Sequence, residues 1–396
     1  MSLYFPLEHQ TAIAAGDRFR MRRVRIRVDH YWALDGNQRP EGTIARLGNN
    51  FEVTDCDIVA KGTGLIPGRQ GLIARNRILA GKTNCPLGGA REVIVEDNRF
   101  VSMYPTAYMN IAGTGRNLYY ARNCQEALQV HQADYSFTFD AGGAAYCGKV
   151  AAVDGPRLTL AADPTYPKWA PEKSDLWKKA VVCIQDGRGA GQWRNVVSNR
   201  GRRWEIERPF DCPPDASSLV TIVSFNGRAL VVGNRFEDAN WVNAGFGTSI
   251  DVIYAQNLLY RCAQLLNYGL ASPGDFQPNW YVQYLDNEAH EGLTTLDTTG
   301  SVRDAGDYRG PITCCTLHRR DLLAEDNSGG ISVSGRTKDV LVERCVLHHF
   351  DSAIRVDAEA KGVLLRNNRF DFARRYEGSG LRDALVLPPP IDTPAH

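Results

Sequence analysis

The sequence predicts an all-β solenoid, a parallel β-helix, and three observations carry that expectation. One pattern returns along the chain: a short apolar run, a polar residue or two, an asparagine, then a hydrophobe two places on, as in Val93-Ile94-Val95-Glu96-Asp97-Asn98-Arg99-Phe100. Where simple copies follow one another the period is roughly twenty to twenty-five residues, the range of a stacked repeat rather than of a globular core. Each copy alternates as a strand does, and none is long enough to make a good helix.

Further copies lie at 72–78, 118–123, 230–236, 252–257 and 364–370. With their asparagines the chain resembles the superfamily of right-handed parallel β-helix proteins that includes pectate lyases, polygalacturonases and phage tailspikes. Within it, the chain is similar to bacterial β-helix glycoside hydrolases that carry a small β insertion. The resemblance covers most of residues 45–375 and implies a right-handed, single-stranded parallel β-helix with an asparagine ladder. It implies that Asn76, Asn98, Asn123, Asn234, Asn257, Asn287, Asn327 and Asn368 point inward as rungs, with Cys56 and Cys345 in the same slot. A side-chain amide both donates and accepts, so identical rungs one coil apart satisfy each other and the turn backbone. The resemblance speaks for the fold; the chemistry must come from the site.

A chain of 396 residues would otherwise suggest two or three globular domains, but a solenoid core grows with each coil. A formal net charge of +1 gives no signal for nucleic acid or for a membrane surface, and neither is an expected partner. Ten cysteines are spread without a framework spacing, so buried thiols are expected rather than disulfides. Cys314-Cys315 has no metal-ligand spacing, and no metal or cofactor is expected. The N-terminus has no basic segment followed by an apolar one, and no apolar run is long enough to span a bilayer. A soluble protein is expected; a secreted or periplasmic location follows from the expected function, with any signal lying outside this sequence.

In order, the chain divides into N-terminal coils (1–145), an inserted small β subdomain (146–223), C-terminal coils (224–380) and a loosely held tail (381–396). Residues 1–16 show no repeat. Residues 21–28 then alternate, with Val24, Ile26 and Val28 on one face and Arg23, Arg25 and Arg27 on the other, as a half-buried strand whose charges guard an end coil against edge pairing. In the insertion, Asp154-Gly155 between two alternating runs signals a hairpin. The glycines of 186–191 lack the lysine-serine pair and helix of a phosphate loop.

The ladder fixes which residues of each coil form the strand that floors the groove in the resembled proteins. Aligned copies place Met109, Leu128, Val242, Leu266, Leu296, Ile331 and Ile354 inward, since side chains alternate across a strand. Asn110, Gln129 with His131, Asn243, Asn267, Thr295 with Asp297, Ser332, and Arg355 with Asp357 then form an outward stripe. A merely solvated face would carry lysine and glutamate; amides, histidine and aspartate fit a sugar-binding groove. Trp241, Trp280 and Tyr135 are expected to stack on sugar faces.

Glycosidic hydrolysis needs two carboxyl groups. Asp297 and Asp140 are the expected pair, with His131 tuning a carboxyl or binding a hydroxyl, and Glu291, Glu288 and Asp357 as further carboxylates nearby. The expected substrate is a polysaccharide or oligosaccharide. The alternatives are a polysaccharide lyase, which would use Arg355 or Lys149 as base and often calcium, and a non-catalytic glycan-binding tailspike or adhesin. The stripe shows no calcium-ligand spacing. Oligomeric state is not specified by the sequence.

Overall fold

The computed structural model describes residues 1–5, 11–28, 42–81, 83–102, 109–112, 115–127, 135–140, 143–168, 170–237, 241–246, 248–260, 262, 265–272, 275–290, 330–348, 352–371 and 374–387. Three stacks of parallel strands wind around one core, and the fold is a parallel β-helix. Sheet I has eleven strands, from Arg20–Arg22 to Leu385–Leu387; sheet II has eleven, from Ser2–Phe5 to Arg369–Asp371. The third side begins with a three-stranded sheet, Thr11–Ala14, Thr43–Arg46 and Thr63–Ile66. It continues as the seven-stranded sheet III, from Met109–Ala112 to Arg374–Glu377. In most coils the chain passes from sheet I to sheet II to the third side and back; between Arg77–Ala80 and Arg91–Glu96 only the Thr83 bridge to Thr63 marks the third side.

Strand alternation builds the core. In sheet II the register aligns Ile26, Ile58, Ile78 and Phe100 in successive coils, each with no exposed surface. In sheet I it aligns Val53, Ile73, Val95, Tyr120, Val231, Tyr254, Tyr284 and Val342. The Tyr254 and Tyr284 rings pack with centroids 5.5 Å apart and planes 30° from parallel. Burial of each such side chain contributes about 1.5–3 kcal/mol.

At the corner between sheets I and II each coil turns in two residues. The first adopts the left-handed region, as at Asp55, Arg75, Asp97, Arg122, Gln256, Asp286, Arg344 and Asn367, with Gly233 taking the position once. The second is the ladder residue. Asn98 Oδ1 accepts from the Asn76 backbone N–H at 2.9 Å and from Asn76 Nδ2 at 3.0 Å, while Asn98 Nδ2 donates to Asn123 Oδ1 and to Ile73 O, both at 2.9 Å. The same bonds recur through Asn123, Asn234, Asn257 and Asn287. Cys56 and Cys345 occupy the slot as expected, their backbone N–H groups donating to Asn76 and Asn368 Oδ1. The residue stacked on Asn287 is Cys345, because Glu288–His290 pairs directly with Val346–His348; Asn327 itself lies outside the described residues.

Both ends extend past the visible repeats. Ser2–Phe5 pairs with Arg25–Val28, and Thr11–Ala14 with Thr43–Arg46, although neither segment carries an asparagine signal. Leu385–Leu387, in the segment expected as a loose tail, pairs with Leu364–Arg366.

Between Tyr135–Asp140 of sheet III and Asn226–Val232 of sheet I stands a seven-stranded antiparallel sheet, from Ala144–Gly148 to Leu219–Ser224. It has its own core, in which Trp177, Trp204, Ile184 and Ile222 are buried. The expected hairpin is present: Val150–Asp154 pairs antiparallel with Arg157–Leu160, and Gly155 supplies the positive φ. Val181, Cys183 and Val223 seat the insertion on Ile250 and Trp280 of the coils. Arg116, on sheet I, fastens it: Nη1 donates to Asn195 Oδ1 at 2.6 Å, Nη2 to Lys179 O, and the guanidinium lies 4.1 Å from the Phe225 ring centre. Burial pushes the Arg116 pKa down to about 9. The eight cysteines among the described residues are free thiols.

Candidate functional site

Sheet III is the sheet aligned above as the groove floor. Its inward column is Phe137, Val242, Leu265, Ile331 and Ile354, all buried. The neighbouring column, one place further along each strand, runs Asn110, Thr138, Asn243, Leu266, Ser332, Arg355 and Glu377. Thr138 has no exposed surface and Ser332 only 8%, so this face is covered in its middle and open near Arg355. Arg355 Nη2 donates to Glu377 Oε2 at 3.1 Å. Asp357 is half-buried just past the strand Ser352–Val356, its backbone N–H donating to Val333 O at 2.9 Å.

Two expected sugar contacts are corrected. Asn267 is fully buried and in register with Val333 of the core, and neither of its amide atoms has a hydrogen-bond partner. Leu265, not Leu266, takes the inward position, and a shift of one residue reverses every side chain on a strand. Trp280 belongs not to a loop but to the sheet I strand Asn279–Leu285, where it is 1% exposed beneath the insertion.

The backbone places several others. Asp140 ends the strand Tyr135–Asp140, in register with Ala112 and Phe246; Tyr135 opens it beside Trp241, and Asn243 is the partner of Thr138. Gln129, His131, Glu291 and Asp297 lie outside the described residues. The sheet III strand that follows Cys124–Ala127 is Tyr135–Asp140. In sheet III, Ile331–Ser334 pairs with both Leu265–Tyr268 and Ser352–Val356.

No protein-family model and no curated protein matches this chain in sequence. The functional reading rests on its geometry.

All connections from sheet II to sheet III meet the groove sheet at one edge, and they vary from residues 372–373 to residues 291–330. Sheet II closes on that edge with a column of strand-final residues: Glu237, Tyr260, His290, His348 and Asp371. The imidazoles of His290 and His348 stack with centroids 4.6 Å apart and planes 9° from parallel, and His290 Nε2 contacts Glu288 Oε1. Sequence reasoning named Glu288 as a spare carboxylate and missed the histidine pair. The signal was present: each histidine stands three places after a ladder residue, Asn287 or Cys345.

A hollow of 480 Å³ lies between the insertion and the coils, lined by Gln185, Asp186, Arg336, Lys338, Glu359 and Lys361. Its charges are engaged: Lys338 Nζ donates to Gln185 O, Arg336 lies 3.6 Å from Glu359, and Lys361 2.7 Å from Asp383. It is a seam between two bodies of the fold.

Proposed function

We propose that the protein is a carbohydrate-active enzyme that hydrolyses glycosidic bonds of a polysaccharide or oligosaccharide laid across the outer face of sheet III. The observation that carries the reading is the position of Asp140: a carboxylate at the end of a groove-sheet strand, two places after Thr138, whose register partner is Asn243. Strands in parallel register at roughly 4.8 Å present such residues as a regular array, which suits an extended polymer.

In this reading Asp140 is one carboxyl group and Asp297 the other, with Glu291 beside it in the same connection and His131 tuning the first. A pair about 5–5.5 Å apart would act with a covalent intermediate, and one about 6.5–9.5 Å apart would activate water directly. Strand Tyr135–Asp140 and strand Ile331–Ser334 are three spacings apart, roughly 14 Å, so pairing of Asp297 with Asp140 requires the 291–329 segment to reach back across the sheet. Asn243, Gln129, Arg355 and Asp357 bind hydroxyl or acidic groups, and Trp241 and Tyr135 stack on sugar rings. Such a substrate points to a secreted or periplasmic protein.

The test is a panel of plant and algal polysaccharides, reading reducing ends and unsaturated-product absorbance together. Reducing ends without absorbance, lost by about a hundredfold or more in Asp140→Asn and Asp297→Asn, is the expected result. Absorbance would replace hydrolysis by a lyase reaction, and retained binding without turnover would make the groove a glycan-binding surface.

A further inference from the structure

We propose that Glu288, His290 and His348 form a binding site for a divalent transition metal of the zinc class. The proposal stands apart from the hydrolytic reading. One ligand atom from each residue lies within 4.8 Å of the others. Three features of the fold bring them together. Glu288 and His290 share one face of a strand because side chains alternate with period two. His290 and His348 are register partners on adjacent parallel strands, and Glu288 partners Val346, which leaves the carboxylate without a competing charge opposite it. Each strand is also held by its other neighbour, Leu258–Tyr260 on one side and Arg369–Asp371 on the other, so the backbone is fixed before any ion arrives.

The donor set selects the metal. Two imidazole nitrogens and one carboxylate oxygen suit zinc, nickel or copper, whereas calcium and magnesium take oxygen ligands. Zinc to nitrogen bonds of about 2.0–2.1 Å require the ligand atoms to draw in to roughly 3.4 Å of one another. The side chains have room for this, since Glu288 is 51% and His290 29% exposed. Glu288 Oε1 already contacts His290 Nε2, and the ion would take the place of the proton between them. Three protein ligands leave a fourth tetrahedral position for water or a ligand oxygen, the arrangement of an open rather than a closed site. The site borders the edge where the chain leaves sheet II for the groove.

Calorimetric titration of the chelator-treated full chain with Zn²⁺ tests this, with Co²⁺ as a visible-absorption probe of nitrogen ligation. Binding of one equivalent is expected, weakened about ten- to a hundredfold in Glu288→Gln and abolished in the double variant His290→Ala/His348→Ala. His348→Gln, which keeps size and polarity, covers the case in which the alanine variants do not fold. Absence of zinc uptake by the parent chain would overturn the proposal. So would uptake unchanged in His348→Gln and in the double variant, which would leave the two rings as a packing stack between coils.

Discussion

Two edges of the same solenoid behave differently. At the corner between sheets I and II every described turn takes two residues and its second position is buried; from Asn76 to Asn287 that residue is hydrogen-bonded to the coils on both sides. At the edge between sheets II and III the connection runs from residues 372–373 in one coil to residues 291–330 in another. The difference follows from where each edge stores its polar groups. A ladder rung satisfies backbone and amide groups inside the core, so an inserted residue would orphan several at once. A connection that leaves one completed strand and joins another adds only loop-closure entropy, which grows slowly with length. Variation collects at the second edge, and binding residues commonly sit on such loops over a rigid scaffold.

The sharpest way to break this comparison is to remove a buried anchor. Trp280→Ala, expected from sequence to weaken sugar binding, should instead destabilise the chain by about 3–5 kcal/mol in denaturant melts and expose residues 144–224 to proteolysis. Asn257→Ala comes next. Asn257 Oδ1 accepts from the Asn234 N–H and Nδ2 at 3.0 Å, and its Nδ2 donates to Val231 O and Asn287 Oδ1 at 2.9 Å. Its loss leaves those groups buried and unpaired, and a cost of about 2–4 kcal/mol is expected. By contrast Asn243→Ala, on the groove sheet, should stay within about 0.5 kcal/mol of the parent in stability while weakening glycan binding. Equal destabilisation by Asn257→Ala and Asn243→Ala would erase the distinction.

The pH dependence separates the two environments further. Burial pushes the Cys345 thiol up to about 11 from its ordinary 9.0, and Cys85 and Cys183 further. A raised folded pKa means stability fully present below 9 and lost progressively as pH rises from 9 towards 11, because the unfolded thiols ionise first. Native-state alkylation at pH 8 should therefore spare these three and reach the half-exposed Cys147 and Cys212. The smallest effect belongs to the exposed turn charges. The Arg122 guanidinium holds Asp97 below the usual carboxylate range, so its contribution is present above 3.8 and lost as pH falls through the lowered value. Asp97→Asn should leave the neutral-pH melt unchanged, as exposed pairs contribute little.

The ladder was legible because an asparagine inside an apolar repeat has few reasons to be there, and Cys56 and Cys345 were legible by position. Past Asn287 the ladder continues at Cys345, far along the sequence, and only pairing reveals that step. Asn267 failed because Leu265-Leu266 offers two hydrophobes in sequence, and nothing local says which one faces in. The end strands escaped notice because Ser2–Phe5 joins sheet II by pairing, with no rung of its own. The histidine pair escaped because its members lie far apart in sequence and one coil apart in space. Of the expected site, Asp140, Tyr135, Trp241 and Asn243 fall on groove-sheet strands.

The central claim is that the variable edge and sheet III hold the glycan while the ladder corner only holds the coils. Hydrogen exchange with and without a polysaccharide that the protein cleaves tests it directly. Slower exchange is expected in Tyr135–Asp140, Trp241–Phe246 and Ser352–Val356, with none in the ladder turns around Asn98 and Asn257. Protection confined to the corner between sheets I and II, or to the inserted sheet, would contradict the account.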